Sequence, residues 1–204
     1  MAALRSGIIL AGGRSSRIGV DKGLIPLNNK PLVTHVAERL TPVVDEILIV
    51  VGTESQAEAY YGLGGRVIID IYHSDTPLVG AYTGLAEARG GYTFLTAGDQ
   101  PLLDARVVEL LFTEAEGHDA ATPTWPNGWV EPLHSAYATR PAAQVARRLI
   151  EANEKRLRMI IDTLPDVRRV QIDEVKIIDP ELRTLMDVDT TEDLKRIYRM
   201  TGIP

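Results

Sequence analysis

Gly7-Ile8-Ile9-Leu10-Ala11-Gly12-Gly13-Arg14-Ser15-Ser16-Arg17-Ile18-Gly19-Val20-Asp21-Lys22 is the stretch that decides the fold. An apolar run breaks off into a glycine-rich, cationic loop, and Lys22 follows within ten residues of Gly12. Apolar residues bounded by glycine read as a buried strand. Glycines let backbone N–H groups approach phosphate oxygens with no Cβ in the way. Arg14, Arg17 and Lys22 supply charge to neutralise a polyphosphate and the charge that develops in phosphoryl transfer. The loop is not a Walker A sequence, because Gly23 follows the lysine where Ser or Thr is required, and it is not a G-x-G-x-x-G dinucleotide fingerprint. A plain turn with a solvated basic loop would account for Gly12-Gly13 alone. It accounts less well for three cations among small residues.

Outward from this loop, strands alternate with helices. Apolar runs predict strands at 7–11, 46–51, 66–69, 92–97, 120–123, 133–137 and 168–171. Helical spacing predicts helices at 31–40, 55–61, 78–88, 104–116, 141–152, 156–164 and 191–200, with Asp104 as a cap. The pattern implies βαβ units in a mostly parallel sheet covered on both faces, a three-layer Rossmann-like α/β fold. With 204 residues, no repeat and no linker, a single domain over 1–204 is expected. In such sheets ligands lie outside the carboxyl ends of the strands. Gly12-Gly13, Asp70 and Asp99 each follow a predicted strand, so three polar motifs converge on one edge.

Composition limits the partners. A net charge of −6 argues against general nucleic-acid or anionic-membrane binding. No apolar run nears the roughly 20 residues that span a bilayer, and the N-terminal run lacks a signal peptide's pattern, so a cytoplasmic protein is expected. The absence of cysteine removes disulfides, thiolate catalysis and thiolate metal sites.

Four further features carry chemistry. In Thr96-Ala97-Gly98-Asp99-Gln100-Pro101 an aspartate just past a strand suits a Mg²⁺ ligand facing phosphates, with a simple turn cap as its bland counterpart. Asp70 stands where it can touch ribose, base or a metal-bound water, while Gly84 in the following helix reads as packing. Met186 to Leu194 reads first as a helix cap at Thr190 or Thr191, with Asp189 within reach of the metal site. Trp125 and Trp129, in a loop rich in Pro, Gly and Asn, suit equally stacking on a planar ligand and covering a sheet edge or forming a subunit contact. His35, His73, His118 and His134 show no metal-ligand spacing, and Arg147, Arg148, Lys155, Arg156 and Arg158 read as a solvated face, with contact to an anionic substrate as the alternative.

Leu10 to Lys22 resembles the L-A-G-G-x-S-x-R-M-G-x-D-K signature of the molybdenum cofactor guanylyltransferase family. Pro77-Leu78-Val79-Gly80, Gly98-Asp99-Gln100-Pro101 and Asp187-Val188-Asp189-Thr190-Thr191-Glu192-Asp193-Leu194 resemble that family's later landmarks, in family order. The resemblance implies transfer of GMP from GTP to molybdopterin or its metal-loaded form, with release of pyrophosphate. It implies nucleotide contacts from Leu10, Ala11, Gly12, Gly13, Lys22 and Asp70, catalytic roles for Arg17, Lys22 and Asp99, and Mg²⁺ on Asp99. Ile18, Thr76, Gly98, Asp187 and Asp189 stand where the family more often has Met, Gly, Cys, Asn and Asn, and the Asn that some members carry after the second strand is missing. Related transferases that use sugar phosphates, adenosylcobinamide phosphate or CTP share the Gly-Gly, Arg and Lys. A nucleotide-binding regulatory protein without turnover is the alternative outside enzymes. Oligomeric state is not legible.

Overall fold

In the computed structural model, residues 4–11, 21–70, 72 and 76–201 are described. The strands are β1 (Arg5–Leu10), β2 (Pro26–Leu27), β3 (Lys30–Pro31), β4 (Glu46–Val51), β5 (Arg66–Ile69), β6 (Tyr92–Ala97), β7 (Ala120–Thr124), β8 (Ser135–Ala138) and β9 (Val167–Gln171). The helices are α1 (Leu32–Leu40), α2 (Glu54–Tyr60), α3 (Pro77–Glu87), α4 (Ala105–Ala115), α5 (Thr139–Glu151), α6 (Met159–Thr163), α7 (Ile172–Ile178) and α8 (Thr191–Thr201).

Seven strands form one sheet in the order β5-β4-β1-β6-β8-β7-β9. β8 is antiparallel to both neighbours and every other pairing is parallel. The expectation of a mostly parallel α/β sheet is borne out. After β1 the chain winds outward through β4 and β5, then returns to place β6 on the other side of β1. Strand order therefore reverses between β1 and β6, and a crevice opens at their carboxyl ends.

Successive side chains of a strand point to opposite faces, and the β-branched and leucine pairs use both. Ile9, Ile49 and Phe94 enter a core with α1, α4 and α7, while Ile8, Leu48 and Leu95 enter a second core with α3, α5 and α6. α1 buries Leu32, Val33, Val36, Ala37 and Leu40, the stripe its spacing predicts. Pro31 stands just before its first residue, at the cap. α3 lies close against β1 because Gly84 has no side chain: a Cβ there would stand 2.8 Å from Ile8 Cδ1.

A third, small cluster sits above the carboxyl edge. Leu27, Leu32, Leu102, Val188 and Ile197 pack together and dock the closing segment and α8 beside the β6 turn. The β2–β3 ribbon that carries Leu27 turns through Asn28 (φ 50°) and Asn29 (φ 61°), left-handed conformations that asparagine tolerates. The ribbon and α7 were not among the elements expected from sequence. No helix among the described residues is long and apolar enough to cross a membrane.

Candidate active site

Lys22 is delivered by a short turn that the sequence builds in three residues. Asp21 precedes a 3₁₀ turn over Lys22–Leu24, and its carboxylate accepts the Gly23 N–H at 3.3 Å. The same carboxylate accepts the Tyr60 hydroxyl at 2.5 Å and the Gln56 amide at 3.5 Å. Gly23 lies directly under Tyr60; a Cβ there would come within 2.5 Å of the Tyr60 oxygen. Tyr60 is fully buried at the end of α2, so the core itself fixes the residue before the lysine. Sequence reasoning missed Tyr60 and Gln56, whose separation from Asp21 hides their partnership.

From this turn Lys22 Nζ reaches Asp99 Oδ2 at 3.3 Å and also bonds the Asp189 carboxylate. Asp99 follows β6 after Gly98 alone, and the Gly98 N–H bonds the Leu10 carbonyl at 2.8 Å. The ends of β1 and β6 are thus stitched together where strand order reverses. The closing segment is fastened to the same place, since the Val188 N–H donates to the Asp99 carbonyl at 2.9 Å. Thr190 and Asp193 cap α8 reciprocally: the Asp193 N–H meets Thr190 Oγ1 at 3.2 Å and the Thr190 N–H meets Asp193 Oδ2 at 2.8 Å. The segment around Asp189 therefore both caps a helix and enters the site.

The electrostatics are those of crowded carboxylates around one ammonium. Burial raises the Asp99 carboxyl above its usual range, and the Lys22 ammonium only partly offsets that. Asp187 is raised by burial and by the neighbouring Asp189 charge. For Lys22, burial pulls the ammonium down, but hydrogen bonding to Asp189 and the pull of both carboxylates leave it above 10.5. A partly buried carboxylate destabilised in this way, at an edge suited to phosphates, fits a hard cation. Mg²⁺ takes one or two carboxylates and completes its shell with phosphate oxygens and water. Among the described residues no group of three or more His, Cys, Asp or Glu is disposed to hold a metal alone.

Leu10 and Ala11 lie at the rim, with the Ala11 N–H on the Val50 carbonyl at 2.8 Å. Gly12, Gly13, Arg14 and Arg17, with His73, lie outside the described residues. Asp70 directly follows β5, two strands from β1, and is 3% exposed. Its carboxylate accepts the Tyr72 N–H at 3.0 Å and the Thr83 hydroxyl at 3.3 Å, so it is built into its own turn.

The two tryptophans divide. Trp125 packs on the α1–α4 core and donates its indole N–H to Glu131 at 2.7 Å. Trp129 is 55% exposed, with the Arg158 guanidinium 5.6 Å from its ring centre. His35 bonds the Leu27 carbonyl, His118 meets Asp166, and His134 is buried just before β8, all packing or surface roles as expected. The basic face is laced with ion pairs, among them Arg147–Glu151, Arg156–Glu154 and Arg158–Asp162.

Comparison with known proteins agrees with this arrangement. Residues 7–169 match the MobA-like NTP transferase domain. A protein of Methanosarcina mazei named a probable molybdenum cofactor guanylyltransferase is 34% identical over 96% of this chain and 90% of its own length. One of the same name from Natronomonas pharaonis is 38% identical over 94% and 96%. The crystal structure of molybdopterin-guanine dinucleotide biosynthesis protein A from Archaeoglobus fulgidus superposes with a TM-score of 0.83 at 27% identity, covering 98% of this chain and 99% of that one. A 4-diphosphocytidyl-2C-methyl-D-erythritol synthase from Anaerococcus prevotii shares the fold, with a TM-score of 0.73 at 13% identity over 98% and 96%.

Proposed function

Because the chain belongs to the MobA-like NTP transferase family and is a nucleotidyltransferase, we propose that it transfers GMP from GTP to molybdopterin or its metal-loaded form. The observation that carries this reading is the meeting of Lys22, Asp99 and Asp189 at the carboxyl edge where strand order reverses. Relatives named for guanylyl transfer to molybdenum cofactor support the base and the acceptor.

An oxygen of the acceptor's phosphate attacks the α-phosphorus of GTP in line. The new P–O bond forms as the bond from the α-phosphorus to the bridging oxygen breaks, and pyrophosphate leaves with that electron pair. A phosphate oxygen is already a competent nucleophile, so no general base is required. Catalysis is then positioning and charge stabilisation. Lys22, preset by the Asp21 turn, meets charge on the transferring phosphate and on pyrophosphate. The backbone of Leu10, Ala11, Gly12 and Gly13 holds the nucleotide, and Arg17 adds a second cation; these assignments to Gly12, Gly13 and Arg17 rest on the sequence. Asp70 supports the nucleoside side through its fixed turn. Asp99 would hold Mg²⁺, with Asp189 beside it, and the ion would supply charge neutralisation on the phosphates.

Calorimetric titration with GTP, CTP, ATP and UTP, with Mg²⁺ and then EDTA, followed by a molybdopterin guanylation assay, tests the proposal. Mg²⁺-dependent preference for GTP and product formation are expected. Preference for CTP, or guanylation of a sugar phosphate instead, overturns the substrate assignment.

A further inference from the structure

Antiparallel pairing with β8 on both sides makes β7 run in the same direction as β6. The loop that leaves β7, residues 125–134, therefore stands on the same edge of the sheet as Asp99. The two strands are two pairings apart, roughly 10 Å. This is the side of the crevice away from β4 and β5.

The loop is built as a rigid stand. The Gly128 N–H bonds the Trp125 carbonyl at 2.8 Å, and the Trp125 N–H bonds the Trp129 carbonyl at 2.8 Å. Asn127 Oδ1 accepts the Trp129 N–H at 3.0 Å, and Gly128 takes φ 79° to make the turn. Thr124 and Val130 bridge at its base, with Val130 fully buried. All this ordering holds up a large aromatic ring that stays 55% exposed. The second tryptophan of the same loop finds the core; Trp129 does not. Its ring is instead set by Arg158, itself held by Asp162 at 3.0 Å. Exposed aromatics fixed by a cation make stacking platforms for planar ligands. Two residues after Trp129, Glu131 accepts the Trp125 indole N–H at 2.7 Å, and burial, with a smaller push from the Asp187 charge, raises its carboxyl.

Resting on the acceptor assignment above, we propose that the exposed face of Trp129, steadied by Arg158, is the platform on which the fused heteroaromatic ring of the acceptor stacks, with Glu131 receiving N–H groups from that ring's edge. The acceptor's phosphate then points back along the sheet edge toward Lys22 and Asp99. Nucleotide and acceptor thus occupy opposite halves of the crevice.

The test compares wild type with Trp129→Ala, Trp129→Phe and Arg158→Gln, using molybdopterin as acceptor and GTP as donor. Trp129→Ala should raise the KM for molybdopterin roughly tenfold or more, with GTP affinity and melting temperature unchanged. Trp129→Phe should restore most of that loss, and Arg158→Gln should raise KM about two- to fivefold. Tryptophan fluorescence should quench on adding molybdopterin to wild type, and the quench should be smaller in Trp129→Phe, in which Trp125 remains. If molybdopterin is guanylated and Trp129→Ala leaves its KM and the quench intact, the platform is overturned and the function stands. If wild type guanylates no molybdopterin and shows no quench with it, the function itself fails and the platform fails with it.

Discussion

Lys22 Nζ lies 3.3 Å from Asp99 Oδ2 across a sequence separation of 77 residues, and Asp189 closes on the same ammonium from the far end of the chain. The relationship joins the first strand's loop, the β6 turn and the closing segment at one point. It explains how a loop rich in glycine is given a fixed charge: the lysine is held at its root by Asp21 and at its tip by two carboxylates.

Lys22→Ala should separate binding from turnover. In the proposed reaction the ammonium meets charge that grows in the transition state, so its removal should lower kcat by about 10²- to 10³-fold while GTP affinity falls far less. Calorimetry beside single-turnover rates makes the comparison. Equal losses in both would reduce Lys22 to a ground-state binding residue.

Asp189→Asn should move a pH limb. The Asp189 hydrogen bond is the largest influence lifting the Lys22 ammonium against burial. Without it the lysine deprotonates at lower pH, so the alkaline fall of kcat/KM should shift to lower pH in the variant. An alkaline limb that stays in place would show that Lys22 does not govern it.

Tyr60→Phe should act on the site from the core. The hydroxyl that leaves is a 2.5 Å donor to the Asp21 carboxylate, and bonds to charged groups contribute about 1.5–3 kcal/mol. Denaturant unfolding should register a loss of that order, and kcat should fall as the Lys22 turn loosens. Stability lost with kcat unchanged would mean the 3₁₀ turn holds Lys22 without Tyr60.

Much of this was legible because it is local. The runs Ile8 to Leu10 and Ile47 to Val51 lie in strands that serve both cores and announce themselves as unbroken apolar sequence, and Thr93 to Ala97 is a β-prone run broken only by buried threonines. Once they are parallel, their carboxyl ends fall on one edge, which is why Gly12-Gly13, Asp70 and Asp99 were expected on one edge. The Asp21–Tyr60 bond was not legible, since a tyrosine that ends a short amphipathic helix reads as core and nothing marks its hydroxyl. The division of Trp125 from Trp129 was hidden for a similar reason: it depends on how a turn through Gly128 aims each ring. The β2–β3 ribbon left a signal in Asn28-Asn29, but its strands are too short for alternation to register.

Gly84 carries a prediction about the fold alone. A Cβ there meets Ile8 Cδ1 and Cγ2 at 2.8 Å, within the α3–β1 contact. Gly84→Ala should cost about 1–3 kcal/mol by overpacking, despite alanine's better helix propensity. Combined with Ile8→Val the losses should be less than additive, because the smaller side chain makes room. Strict additivity in a double-mutant cycle would place the strain elsewhere.

His134 sets how the protein meets acid. It is 1% exposed, stacked edge-on against Phe94 with ring centres 5.2 Å apart, and its Nε2 lies 3.0 Å from Thr184 Oγ1. Burial pushes its pKa down to about 3, against 6.5 for the free side chain. Below 6.5 the unfolded chain takes up a proton that the folded chain refuses, so stability falls as the pH drops from about 6.5 toward 3. The slope from this one group is roughly 1.4 kcal/mol per pH unit. His134→Phe keeps a ring in the same space and removes the titration. Denaturation curves collected from pH 7 to pH 4 should show the wild type losing stability more steeply than the variant, whatever their relative stability at pH 7. Thr184 also accepts the Asp104 N–H at 3.0 Å and sits three residues before Asp187. Parallel slopes for wild type and variant would mean that His134 is not the group through which acid acts.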